Sequence, residues 1–481
     1  MKNAILWIAP CILLLAFHFS HPCLAGTVQH SHDDSNRLAR EEHRSDVTVD
    51  NADNMLRRAL SETPTPTPTS TPTRAPDQIL VSQGYGGITL SKRLRYGWSL
   101  VPFSSFLNLP IAYAQNVVQS IRTRSVNTAV ADVDGDGVKD IICGLGPGGM
   151  GSKQPSIIIV WRQYPDRDPC RIAVKGVYSL NAQNPKLRNP HGALNVAAGN
   201  FVGDDLPMIA AAQGLGGSHQ IRMLQYTLQD GRGILQDVGT FRGLQRKALW
   251  RNSSGGTAVA AGDLDGDGLD ELVVGQMNGE RAASLFQVLN LKRDETTNRV
   301  VVDTYTNPVA AFPVDKRGLG GVNLCVGDVN GDGQKEIVVA SAGKSKTGLR
   351  ERNFARVFSV KTNESGVITG LTALTPPVQV LGSMDNPSGG LSVTAGNLDY
   401  DIADEVLVGT QAIISLDLDT GIVTHSVVAP RPLIRGLAYN FREDGSYMWI
   451  TRMNIVSFSQ PFVGNLVPKS RAVNVGIYSR D

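Results

Sequence analysis

The chain has 481 residues, with Lys+Arg 46 against Asp+Glu 44. That length permits one large domain or a few ordinary ones, and the balanced charge argues against a nucleic-acid or anionic-membrane partner recognised through bulk charge. The 50 glycines, 25 prolines and 6% aromatic residues suit many short strands joined by tight turns better than helices.

In chain order, the first feature is an apolar run of 14 residues from Ala4 to Phe17, preceded by Lys2 and followed by small residues at Ala25 and Gly26. It is too short to span a bilayer and reads as an export signal over residues 1–25. The chain is therefore expected to be secreted, extracellular or associated with the cell surface, without a membrane span once the signal is cleaved. Cys11 and Cys23 belong to that segment, which leaves Cys143, Cys170 and Cys325. An odd count gives no complete disulfide framework. Cys143 and Cys325 lie in apolar, strand-like runs and are expected to be buried thiols. Residues 26–62 are polar and lack apolar periodicity, and their His30, His32 and His43 are expected to be solvated. Residues 63–76, TPTPTPTSTPTRAP, favour extended polyproline II and read as a semi-stiff linker.

From residue 77 the texture changes, and comparison of the chain with itself decides the architecture. The segment ADVDGDGVKDIICG from Ala131 recurs as GDLDGDGLDELVVG from Gly262 and as GDVNGDGQKEIVVA from Gly327. A weaker copy, GNLDYDIADEVLVG, starts at Gly396, and degenerate copies start at Gly199 and Tyr439. The first loop positions, Asp132, Asn200, Asp263, Asp328, Asn397 and Asn440, are 68, 63, 65, 69 and 43 residues apart. Alternating small and apolar residues precede each loop. An apolar run, a glycine-rich turn and a further alternating run follow it. About 65 residues and four strands per unit predict a propeller blade.

The six copies are completed by the chain ends. Residues 78–87, QILVSQGYGG, match the segment after a loop, whereas SRAVNVGIYS from Ser470 matches the strand that leads into one. The expectation is thus an all-β, seven-bladed β-propeller over 77–481, in which the C-terminus supplies the first strand of the N-terminal blade. Such a closure would remove the open sheet edges of a broken ring.

The loop from Asp132 places carboxylates at positions 1, 3, 5 and 9, on Asp132, Asp134, Asp136 and Asp140, with the carbonyl of Val138 at position 7. Glycine at position 6 permits the sharp turn. Hard oxygen donors in a flexible cage of this kind select Ca2+. The equivalent sets are Asp263, Asp265, Asp267, Leu269 and Glu271, and Asp328, Asn330, Asp332, Gln334 and Glu336. The fourth set, Asn397, Asp399, Asp401, Ala403 and Glu405, has Ile402 in place of the turn glycine and is expected to bind more weakly. The loops at 200 and 440 lack the pattern and are expected to bind no ion. Each loop satisfies its own ion and repeats around a ring, which argues for structural stapling and not for catalysis.

These DxDGDGxxD loops followed by an apolar run resemble the FG-GAP/VCBS repeat family, whose best-known members form the propeller of integrin α-subunits. The resemblance covers about residues 77–481. It implies that the loops lie in the hairpin between the first two strands of a blade and bind calcium on one face. The family's Phe-Gly pair before the loop is replaced by Gly-Gly at 255–256, 320–321 and 389–390, and the integrin leg domains are absent, so an integrin-like heterodimer is not implied.

The opposite face would be formed by segments that enter each first strand and leave each second one. They carry Arg124, His191, Arg251, Asn252, Arg317, Asn386 and Arg435, and Gln83, Gln213 and Gln276 at equivalent positions. Guanidinium and amide groups suit carboxylates, sulfates and sugar hydroxyls. An extracellular glycan or protein is therefore the expected partner of a monomeric recognition or adhesion module. The alternative is a secreted, calcium-dependent polysaccharide lyase. The histidines of the repeat region, His191, His219 and His425, belong to different repeats and compose no nucleophile–base pair by sequence. A subunit of a surface complex is a third reading.

Overall fold

The structure, a computed structural model, describes residues 78–83, 88–94, 97–102, 126–145, 156–163, 172–179, 194–214, 219–245, 256–277, 284–312, 321–342, 353–382, 390–397, 402–411, 413–416, 423–427, 433–441, 447–457 and 473–478. The chain divides into two units, Met1–Ser70 and Thr71–Asp481, and every described residue lies in the second. The expected signal, polar segment and Pro/Thr linker, and Cys170, lie outside the described residues.

All regular structure among the described residues is strand. In chain order the strands are β1 Gln78–Gln83, β2 Ile88–Leu94 and β3 Gly97–Pro102; β4 Val126–Ala131, β5 Asp140–Leu145, β6 Ile157–Gln163 and β7 Ile172–Ser179; β8 Leu194–Gly199, β9 Met208–Gln213, β10 Gln220–Gln229 and β11 Arg232–Arg242; β12 Thr257–Gly262, β13 Glu271–Gln276, β14 Leu285–Arg293, β15 Val300–Tyr305 and β16 Val309–Ala310. Then follow β17 Val322–Gly327, β18 Glu336–Ser341, β19 Phe354–Thr362, β20 Ile368–Ala373 and β21 Val378–Gln379; β22 Gly390–Gly396, β23 Glu405–Gln411, β24 Ile413–Leu416, β25 Val423–Val427, β26 Leu433–Phe441 and β27 Tyr447–Ser457; and last β28 Val473–Tyr478.

These strands form antiparallel meanders in a β-propeller arrangement. Four sheets have four strands, β28-β1-β2-β3, β4-β5-β6-β7, β8-β9-β10-β11 and β22-β23-β26-β27. Two have five, β12 to β15 and β17 to β20, with β16 and β21 pairing at β14 and β19. β24 and β25 form a separate two-stranded hairpin. Seven blades are therefore not what the chain builds. The copy at Asn440 is the source of the miscount. It lies near the end of β26 with Asn440 opposite Met448, so it belongs to the outer hairpin of the β22 sheet and starts no new sheet. Its 43-residue spacing is the length of an outer hairpin plus the inserted β24–β25 pair, too short for a whole unit.

The strand that opens each sheet packs on its counterpart in the next, in the cyclic order β28, β4, β8, β12, β17, β22 and back to β28. β28 pairs antiparallel with β1, from Gln78 opposite Tyr478 to Gln83 opposite Val473. Sequence explains the layering. Strands near the centre are covered on both faces by neighbouring sheets, so they read as runs of small and β-branched residues; ELVVGQ of β13 is buried throughout. The outer β15, VVVDTY, is buried only at its start. Glycines mark where sheets press together: a Cβ on Gly275 would lie 2.5 Å from Val322 Cγ2, and one on Gly144 2.6 Å from the Leu194 carbonyl oxygen.

The core is a series of interfaces between neighbouring sheets. Ile142, Val160, Ile209 and Leu224 pack together between the second and third sheets. Met223, Leu272, Val274 and Leu289 do so between the next two. Each such side chain contributes roughly 1.5–3 kcal/mol on burial. A polar belt fixes the starts of the central strands. Asn127 Nδ2 donates to Leu194 O at 3.0 Å, Asn195 Nδ2 to Thr257 O at 2.7 Å, and Asn323 Nδ2 to Leu391 O at 2.6 Å. These bonds join strand starts to strand starts, so the hairpin loops at the other ends of these strands share one face. Cys143 and Cys325 are buried, and burial pushes both thiols well above their usual range.

Candidate metal centres

The hairpins β4–β5, β12–β13 and β17–β18 present the acidic loops from Asp132, Asp263 and Asp328. Each loop is tied around its first carboxylate. Asp132 Oδ1 accepts from the N–H of Gly135 at 2.9 Å and of Asp136 at 3.1 Å, and Oδ2 from Gly137 at 2.8 Å. Asp263 accepts from Gly266 at 2.7 Å and Gly268 at 3.1 Å. Asp328 accepts from Gly331 at 2.8 Å, Asp332 at 3.1 Å and Gly333 at 2.9 Å. The fifth-position carboxylate turns back on the seventh residue: Val138, Leu269 and Gln334 donate their N–H groups to Asp136, Asp267 and Asp332 at 2.9, 2.7 and 2.8 Å.

Two glycines per loop make this coil possible, at positions 4 and 6. Gly135 and Gly137, Gly266 and Gly268, and Gly331 and Gly333 all have φ between 73° and 89°, a region that L side chains enter only at a cost. The sequence pattern pointed to the second glycine and missed the first. In the loop from Asn397 these places are taken by Tyr400 and Ile402. Ile402 is 80% exposed and, unlike the position-6 glycines, has no positive φ. Asn397, Ala403 and Glu405 are described, with Glu405 buried; Asp399 and Asp401 lie outside the described residues.

The closing acid at position 9 starts the second strand and is buried in every loop: Asp140, Glu271, Glu336 and Glu405 are at most 2% exposed. It accepts from the N–H of position 2, as in Leu264 to Glu271 Oε2 at 2.8 Å and Val329 to Glu336 Oε2 at 3.1 Å. Burial, assisted by Asp265, Asp267 and Asp263 and opposed by the Leu264 N–H, pushes Glu271 up to about 8. Burial and the Asp332 charge likewise push Glu336 up to about 8, and burial and Asp267 raise Asp265. Crowded, desolvated carboxylates of this kind favour a bound proton or a bound cation over bare charge.

The donors converge. Asp132, Asp134 and Asp136 each bring one carboxylate oxygen to within 4.8 Å of the others, and so do Asp263, Asp265 and Glu271. In the Asp328 loop an amide takes the third place: Asn330 Nδ2 donates to Asp332 Oδ2 at 2.9 Å and to Glu336 Oε1 at 3.0 Å. Oxygen-only sets on pliant loops fit a hard divalent cation with a large, irregular coordination shell. The Asp132 loop also has a protein cation beside it, Arg162 Nη2 at 2.7 Å from Asp136. The degenerate loop at Asn200 uses a guanidinium in earnest. Arg293 of β14 donates Nε to Asp204 Oδ1 at 3.1 Å, pairs through Nη2 with Asp204 Oδ2, and reaches Gln225 Oε1 at 3.1 Å.

The residues expected on the opposite face are placed less fully. Arg124, His191, Arg251, Asn252, Arg317 and Asn386 lie outside the described residues. Gln83 ends β1, at the register of Gln213 and Gln276. Gln213 and Gln276 are 3% and 2% exposed. Arg435 donates Nη1 to Val380 O of the preceding sheet at 2.7 Å, as Arg356 does to Ala311 O at 2.9 Å. Both arginines are struts between sheets, a use set by contacts some 50 residues away that a local pattern does not display.

The family model for the FG-GAP repeat matches residues 255–283, the stretch that holds the Gly-Gly pair, β12, the Asp263 loop and β13. No curated protein matches the chain. Among solved structures, the chain is similar to the exotype rhamnogalacturonan lyase YesX, with a TM-score of 0.35 and 15% identity over 86% of this chain and 73% of that one. AofleA from Arthrobotrys oligospora gives 0.38 and 12% over 80% and 92%, and the Bacillus licheniformis rhamnogalacturonan lyase PL11 gives 0.33 and 13% over 82% and 79%.

Proposed function

We propose that the chain is a secreted, calcium-stapled propeller that acts as an extracellular recognition or adhesion module, with its ring closed by the pairing of β28 with β1. The observation that supports it is the convergence of carboxylate oxygens in the hairpins at Asp132 and Asp263, with the same winding of the loop around its first carboxylate at Asp328. Calcium in these loops fixes the hairpins of one face. The other face, to which the sequence pattern assigns Arg251, Asn252, Arg317 and Asn386, is left for a ligand. Its guanidinium and amide groups suit an acidic or hydroxyl-rich glycan, or a protein that presents the same groups.

The test is binding of the purified protein to an array of acidic and neutral glycans, with calcium and with a chelator, followed by product analysis on any glycan bound. Calcium-dependent retention without cleavage is the expected result. Release of unsaturated oligosaccharides would replace this reading with the lyase one. No retention by the folded, calcium-loaded protein would exclude a glycan ligand and leave a protein partner, which a pull-down then identifies.

A further inference from the structure

At two sheet boundaries, neighbouring loops are joined by a residue that the repeat pattern does not single out. At position 8, between the seventh-position carbonyl and the closing acid, stand Lys139, Pro207, Asp270, Lys335 and Asp404. Where this residue is aspartate, it clasps the first residue of the preceding loop with two bonds. Asp404 donates its N–H to Asp328 O at 2.7 Å, and its Oδ2 accepts from the Asp328 N–H at 3.0 Å. Asp270 does the same to Asn200, at 2.7 Å in both directions. The partners are 76 and 70 residues apart in sequence.

At both clasps the glycine before the first loop position lies against the neighbour's carboxylate. A Cβ on Gly327 would lie 2.8 Å from Asp404 Oδ2, and one on Gly199 would lie 2.5 Å from Asp270 Oδ2. The glycine leaves the space through which the neighbour's carboxylate reaches the backbone. At the boundary with Lys335, a Cβ on Gly262 would instead meet Val326 Cγ1 at 2.5 Å and Lys335 Cδ at 3.2 Å.

We infer that Asp404 is a positioning residue for the cation site of the Asp328 loop, supplied from the next sheet. Asp328 is the residue around whose carboxylate that loop is wound, by the N–H groups of Gly331, Asp332 and Gly333. Holding its backbone N–H and carbonyl from outside fixes where that carboxylate sits before a cation arrives. A cation in the loop then braces the boundary between two sheets as well as a single hairpin. The Asp270 clasp shows that the device needs no cation, because the Asn200 loop it holds lacks the acidic array.

This inference rests on the calcium reading above, and a calorimetric titration of the chelator-treated full chain with calcium separates the two. The binding step absent from D332N identifies the Asp328 loop. D404A is expected to weaken that step about 10- to 100-fold, the usual effect of removing an outer-shell partner, and to leave the steps of the Asp132 and Asp263 loops unchanged. D404N, which keeps an acceptor oxygen, is expected to restore it. An unchanged Asp328 step in D404A overturns the inference, and so does an equal weakening of all steps, which would mark a general loss of fold. An unmutated protein with no calcium step at all overturns the calcium reading and this inference with it.

Discussion

At the scale of single residues, side-chain chemistry was legible and its neighbours were not. Carboxylates at positions 1, 3, 5 and 9 stand out because they recur in register in one chain. The position-4 glycine recurs as well, and a question about φ at every glycine of the DGDG core would have found it. The clasp at position 8 shows no local signal, since its partner lies a whole repeat away. The buried closing acids carry a consequence for pH. Glu271 and Glu336 are pushed up to about 8 in the fold, so the folded chain holds protons that the unfolded chain gives up in the ordinary carboxylate range. In chelator their contribution is complete below that range and is lost as pH rises through about 8. Calcium takes the place of those protons. The melting temperature in chelator is therefore expected to fall between about pH 5 and about pH 9, and excess calcium is expected to abolish most of that fall. Parallel melting curves with and without calcium would show instead that these carboxyls do not face a cation.

At the scale of elements, the first two strands of each unit were readable from alternation and the acidic loop between them. The outer strands were expected as a further alternating run and a fourth strand, but the place of β26 and β27 in the β22 sheet was not, because a degenerate loop copy falls on β26. YNFREDGSYMWIT was counted as a degenerate copy of the loop, and its described residues lie on the paired strands β26 and β27. The Asn200 hairpin shows how an element without the acidic array is held. Arg293 enters from the next sheet and pairs with Asp204 and Gln225, the two charged side chains being 25% and 20% exposed. Loss of charge-assisted hydrogen bonds at that depth costs about 2 kcal/mol. R293A is expected to lower the urea midpoint accordingly and to leave the calcium stoichiometry unchanged. A loss of calcium from R293A would show that this ion pair serves the metal loops and not only its own hairpin.

At the scale of the molecule, the all-β class and the repeated four-strand unit followed from the sequence, because a repeat that cannot bury its own faces must stack on copies of itself; the shared face of the loops came from the family resemblance. The number of units did not follow. It depends on whether a 43-residue spacing is a short blade or the tail of the previous one, and the pairing of β26 with β23 and of β27 with β26 decides. The interfaces between sheets that form the core also contain the polar belt of Asn127, Asn195 and Asn323, whose amides tie the strand starts of neighbouring sheets. If those hairpins bind calcium, each site adds about 2.7 kcal/mol when free calcium exceeds its dissociation constant about a hundredfold. The most direct test is to strip the full chain with chelator, dialyse it against calcium, count the bound ions by elemental analysis, and melt both forms. About three calcium ions per chain, with a higher melting temperature in calcium than in chelator, are expected. A folded chain that binds no calcium and melts at the same temperature in both would contradict the account.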